Sequence, residues 1–274
     1  MIYFSMGYWI IALALIVSTA GAAVGLACIR QSTRSVTARF RFVWLFVAAA
    51  SIGGVGVSMP VFVSMLGVEA EGSQIRYDET LTTVFSAASG ITVMLALIIV
   101  GRTQNWVRLG LGALVMGAGI GSMELLILSA VHVQGTVQLN PLSIAAVYAI
   151  ALLLSAALLW FSLRVNSTVV LMGGAMLYAL VVTGMHYTGL LGLSFHIDAA
   201  ASAPTGADLF TFFVPFFIIG SLALAIPITA ILVAPDRRES QLASASSRSG
   251  EKPGNGGVSM PEPWSLAHTP ESVR

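Results

Sequence analysis

The sequence predicts an all-α, polytopic membrane protein of about seven transmembrane helices, and three observations carry that prediction. The 274 residues are 57% hydrophobic and only 9% charged, too few charges to cover the surface of a water-soluble domain. Apolar stretches recur along the chain at the length, roughly 20 residues, that a helix needs to cross a hydrocarbon core of about 30 Å. The arginines collect in every second connection between those stretches, as they do when alternate loops stay in the cytoplasm.

Hydrophobic runs place helices at 5–29, 42–67, 81–100, 109–133, 142–161, 169–193 and 209–233. The first lacks a basic leading segment and is too long for a cleaved signal, so it is expected to remain in the mature protein. Trp9, Trp44, Trp106 and Trp160 fall near predicted interfaces, where amphipathic rings anchor helices. Pro215 and Pro227 interrupt the seventh run, where each removes a backbone donor and favours a bend.

Arg30, Arg34, Arg39 and Arg41 follow the first helix, Arg102 and Arg108 the third, Arg164 the fifth, and Arg237 and Arg238 the seventh. The opposite loops carry Glu69, Glu71, Asp78, Glu79, Asp198 and Asp208, with Arg76 as their one basic residue. This asymmetry predicts an N-terminus outside and a C-terminus inside, in the inner (plasma) membrane. Residues 1–235 are thus expected to form the seven-helix membrane domain. Residues 236–274 turn to Ser, Gly, Pro and charge, a composition that predicts a disordered cytoplasmic tail without an enzymatic output domain.

Several functions are excluded at this level. The net charge of +1 and the confinement of basic residues to loops leave no nucleic-acid footprint. One cysteine, Cys28, permits neither an intramolecular disulfide nor a thiolate metal cluster. No paired carboxylates, nucleophile and base, or phosphate-binding loop stand at credible spacing, so the chain is not expected to be an enzyme.

A repeat appears when the even-numbered helices are aligned. The second carries Gly53-Gly54-Val55-Gly56-Val57-Ser58-Met59-Pro60, the fourth Gly117-Ala118-Gly119-Ile120-Gly121-Ser122-Met123-Glu124, and the sixth Val182-Thr183-Gly184-Met185-His186-Tyr187-Thr188-Gly189. Their methionines are 64 and 62 residues apart, the length of a two-helix unit with its loops. The chain therefore reads as three repeated helical hairpins plus one helix. Counted from the arginine-bearing ends, all three methionines lie in the outer half of the membrane. The glycines before them suit close helix packing.

Gly184-Met185-His186-Tyr187-Thr188-Gly189, with its two weaker upstream copies, resembles the MHYT domain of bacterial signalling proteins over about residues 5–235. The resemblance implies an integral-membrane sensor of oxygen, carbon monoxide or nitric oxide, acting through copper held by Met and His, and often fused to cyclase, phosphodiesterase or kinase domains. Where that pattern expects histidine, the second helix has Pro60 and the fourth Glu124, so three equivalent Met–His pairs cannot form. The methionine expected five residues on is Leu128 or Leu190, and Met65 is displaced by one. The copper set that remains is His186, Met185, Met59 and Met123, with Met65 as a further contributor. Thioether and imidazole donors suit cuprous ion. Successive residues point about 100° apart on a helix, so Met185 and His186 do not chelate one ion by themselves.

Glu124 is an acidic residue well inside a predicted span, where ionisable groups signal function. The repeat sets it level with His186, which predicts a hydrogen-bonded pair across the bundle, able to respond to protonation because histidine titrates near neutral pH. His132, at the outer end of the fourth helix, and His196, after the sixth, are further outward-facing candidates for a metal. The sequence thus points to a sensory protein responding to copper, a diatomic gas, redox state or protons. It would contact the lipid bilayer and be read by a separate, unidentified signalling protein. A small transporter or metal-handling permease using Glu124 and His186, and a structural subunit, are the alternatives.

Overall fold

The computed structural model describes residues 3–102, 105–164 and 167–233, and the tail expected at 236–274 lies outside them. Seven helices among the described residues are long and apolar enough to cross a membrane, which makes this a multi-pass membrane protein. They are α1 (Trp9–Arg34), α2 (Ala38–Met65), α3 (Glu79–Val100), α4 (Trp106–Ser129), α5 (Pro141–Arg164), α6 (Thr168–Leu191) and α7 (Leu209–Val233). Local chemistry sets their starts. Thr37, Asp78, Asn105, Asn140 and Asp208 each accept a backbone N–H of the first turn through the side chain, satisfying donors that have no intrahelical partner. Gly101, at a φ of 70°, ends α3.

Six helices close into a ring. Each of α1 to α5 packs on the next, and α6 returns to α1. Small residues allow the close approaches: a Cβ on Gly21 would stand 2.5 Å from the Gly56 nitrogen, and one on Gly53 2.7 Å from the Gly90 Cα. In a bilayer, where lipid tails are as apolar as leucine, such approaches replace hydrophobic burial as the source of cohesion. α7 stands outside the ring, with 18% of its span buried against 33% to 61% for the others. It leans on α2 through an edge-to-face contact of Phe216 with Phe62, 5.2 Å between centroids. It also runs through Pro215 and Pro227 as one helical element.

The second helix departs from the plain α-helix expected. Ala50–Ser58 winds as a π-helix between α-helical turns at Ala38–Ala49 and Met59–Met65. Pro60 has no N–H for the Gly56 carbonyl, four residues back, and Ser18 of α1 fills the gap with a 2.7 Å hydrogen bond. Ser58 and Ser89 both donate to the Gly53 carbonyl, at 3.1 and 2.8 Å. The polar demand created by the wide turn is therefore met from three helices.

A second correction concerns the loops opposite the arginines. The sequence extended the fourth helix to 133 and the sixth to 193, but α4 stops at Ser129 and α6 at Leu191. Beyond them the chain forms short strands: β1 (Arg76–Tyr77) pairs antiparallel with β2 (Val131–His132), and β3 (Gly135–Leu139) with β4 (Leu193–Ile197). Gly135 sits at a φ of 139° with its Cα against the His196 carbonyl, where a Cβ would collide. These strand pairs join the α2–α3, α4–α5 and α6–α7 connections into a hydrogen-bonded cap at the end opposite the arginines.

Candidate functional site

Inside the ring, α4 and α6 face each other across α5. His186 Nδ1 lies 2.6 Å from Glu124 Oε1, and the two side chains are 1% and 0% exposed. Where Glu124 is ionised, its oxygen accepts from an Nδ1–H of the ring. Gly189, one turn beyond His186, makes room: a Cβ there would meet Leu128 at 2.8 Å and Glu124 Oε1 at 3.5 Å. The final glycine of the Gly-Met-His-Tyr-Thr-Gly run thus has a spatial reason that sequence reasoning missed.

The far atoms of the pair, His186 Nε2 and Glu124 Oε2, are buried and have no hydrogen-bond partner. Most buried polar atoms in proteins are paired, and an exception calls for an explanation. The hydroxyls of Ser155, Tyr178 and Thr183 are likewise buried and unpartnered. Sequence reasoning did not single these out, because Ser, Thr and Tyr within apolar runs carry no signal apart from their spacing; Tyr178 and His186 are two turns apart, eight residues, on one helix.

Met59, Met65, Met123 and Met185 are all buried. Met59 presents its methyl to α7, where a Cβ on Gly220 would come within 2.4 Å of it. Met65 lines a cavity of about 510 Å³ at the strand-bearing end, with Glu69, Arg76, Tyr77 and Asp208. Burial, with the nearby Asp208 carboxylate adding to it, pushes the Tyr77 phenol above its ordinary range. Among the four methionines, Glu124 and His186, the one polar contact is that of Glu124 with His186.

The outer histidines occupy strands rather than a helix end and a plain loop. His132, in β2, is exposed and donates Nδ1–H to the Thr205 carbonyl at 3.0 Å. His196, in β4, is exposed and stands opposite Thr136. Among the described residues no three histidine, cysteine or carboxylate side chains come together. A metal here therefore needs thioether donors beside a single imidazole. The donor chemistry fits such an ion at one atom: Nδ1 is held by a carboxyl oxygen and Nε2 has no hydrogen-bond partner, the arrangement in which a metal-binding histidine is oriented by its outer partner.

No protein-family profile matches the chain, and no solved structure matches it significantly. The chain is 27% identical over 214 residues to the bifunctional diguanylate cyclase/cyclic di-GMP phosphodiesterase MucR of Pseudomonas aeruginosa, an alignment covering 75% of this chain. It covers 31% of that relative, so the chain spans about a third of the length of the signalling protein it resembles.

Proposed function

We propose that this chain is an integral-membrane sensory domain of the MHYT type, with the Glu124–His186 pair as its responsive centre and a separate signalling protein as its output. One observation carries the reading: a hydrogen-bonded ionisable pair sealed inside a membrane bundle, with both outward atoms lacking partners. Isolated ionisable groups are costly at that depth and are retained for function. Similarity to part of a cyclic di-GMP enzyme supports a signalling role. The arginine-bearing end is assigned to the cytoplasm of the inner membrane and the strand-bearing end to the exterior, since positive loops stay inside.

Copper is the ligand that best suits the available donors. His186 Nε2 would bind it, with thioethers drawn from Met123 and Met185, since Met59 is turned to α7 and Met65 to the outer cavity, and the soft donor set favours the cuprous state. Such an ion would supply one-electron redox chemistry or a diatomic-gas site. The residues' own task is orientation: Glu124 holds the imidazole ring and its tautomer, and the helix packing excludes water.

Metal analysis of purified protein reconstituted with cuprous ion tests this directly. Wild type should retain copper stoichiometrically, folded His186→Ala should lose it, and Glu124→Ala should bind roughly 10- to 100-fold more weakly. Absence of copper from every preparation would overturn the metal assignment.

A further inference from the structure

At the end opposite the strands, Arg102 donates to the Ser35 carbonyl at 3.0 Å, tying the α3–α4 connection to the α1–α2 connection. Arg41 lies within electrostatic reach of Arg102. The Arg108 guanidinium stands against Gly101, the residue before Arg102, 3.3 Å from where a Cβ would be. Three guanidinium groups from three helix ends therefore gather with no carboxylate at this end among the described residues, since Glu69, Glu71, Asp78, Glu79, Asp198 and Asp208 all belong to the strand-bearing loops.

Below this cluster a cavity of about 420 Å³ runs between α2 and α3, lined by Phe46, Ala50, Gly54, Gly90, Leu95 and, at its deep end, Met59. Phe46 to Met59 spans somewhat under the roughly 20 Å of an α-helix of that length, since Ala50–Ser58 winds as a π-helix, and so approaches the ~15 Å half-thickness of a bilayer core. α7 covers the deep end through Phe216 and Gly220. The cavity is apolar, opens toward the surroundings of the bundle, and begins about two turns from the guanidinium groups. An occupant suited to both features has an anionic head and a long hydrocarbon tail, joined at the level of the interface.

We infer that this is a binding site for an anionic phospholipid from the arginine-side leaflet, with its phosphate held by Arg41, Arg102 and Arg108 and one acyl chain lying between α2 and α3. Clusters of basic residues at a membrane surface favour anionic headgroups, and the groove gives the tail a place that annular lipid lacks. Because the chain end reaches Met59 and passes Ala50 and Gly54 of the π-helical segment, an occupied site would brace α2 where its winding is widest. The site is separate from Glu124 and His186 and does not depend on their ligand.

Native mass spectrometry of the full chain in detergent, with phosphatidylglycerol and phosphatidylcholine of matched tails, tests the inference. Phosphatidylglycerol should be retained about tenfold or more over phosphatidylcholine, and Arg41→Gln with Arg102→Gln should remove that preference. Arg76→Gln, at the other end, should leave it intact. Gly54→Leu should reduce lipid retention by filling the groove, at a position where an added Cβ meets nothing within 4 Å. Equal retention of the two lipids, undiminished retention in Gly54→Leu, or displacement of the lipid by inorganic phosphate at matched concentration would each overturn the proposal, the last by indicating a free-anion site.

Discussion

The α2 copy of the repeat and the α4 and α6 copies put the same sequence level to different uses. In α2 the position is Pro60, Ala50–Ser58 shortly before it winds as a π-helix, and serines from α1 and α3 supply the missing backbone contacts. In α4 and α6 the helices are regular, and the aligned positions are Glu124 and His186, joined at 2.6 Å. One copy spends the level on backbone geometry and the other two on a side-chain pair. The difference teaches that a repeated motif fixes depth in the membrane, while the residue at its variable position decides whether that depth holds a distortion or a site.

The comparison breaks most visibly if the pair is cut. Glu124→Ala leaves a buried imidazole facing a void, and thermal or denaturant unfolding in detergent should show a loss of about 3 kcal/mol, the upper end of the cost of leaving a buried polar group unsatisfied. Glu124→Leu combined with His186→Leu should recover much of that loss, since apolar replacement of both partners is often close to neutral. A loss in the double variant as large as the two single losses added together would mean that the two residues act separately.

Next in size are the glycines of α2. Gly53→Ala should cost about 1–3 kcal/mol, because its Cβ would meet the Gly90 backbone and the helices must part. Gly54→Ala, one residue on, meets nothing within 4 Å and should be neutral within about 0.5 kcal/mol. A like response of the two positions would contradict the packing of α2 on α3.

The smallest effect sharpens the account of Pro60. Ser18→Ala removes the donor that reaches the Gly56 carbonyl and should cost about 0.6 kcal/mol, the usual scale for a hydrogen bond between membrane helices. In a Pro60→Ala background, where the backbone can supply its own donor, the same substitution should cost less. An unchanged cost would assign the π winding to another cause.

Much of this arrangement was legible in the sequence, for identifiable reasons. Seven apolar runs gave seven helices because length and hydropathy are local properties that a bilayer reads directly. The level of Glu124 with His186 followed from the 62-residue spacing of Met123 and Met185. The π segment was not foreseen, since hydropathy is blind to winding, although Pro60 four residues after Gly56 carried the clue. The strands at Val131–His132 and Leu193–Ile197 were hidden because apolar residues continue past the true helix ends. The direction of Met59 toward Gly220 depends on the rotation of α7, which no repeat partner constrains.

The central claim is that Glu124 and His186 form one functional unit, and a double-mutant cycle measures it most directly. Unfolding free energies of wild type, Glu124→Ala, His186→Ala and the double variant, taken in the same detergent, should give a coupling energy of about 1.5 kcal/mol or more, in the range for residues in direct buried contact. A coupling below about 0.5 kcal/mol, the value expected of independent sites, would contradict the account.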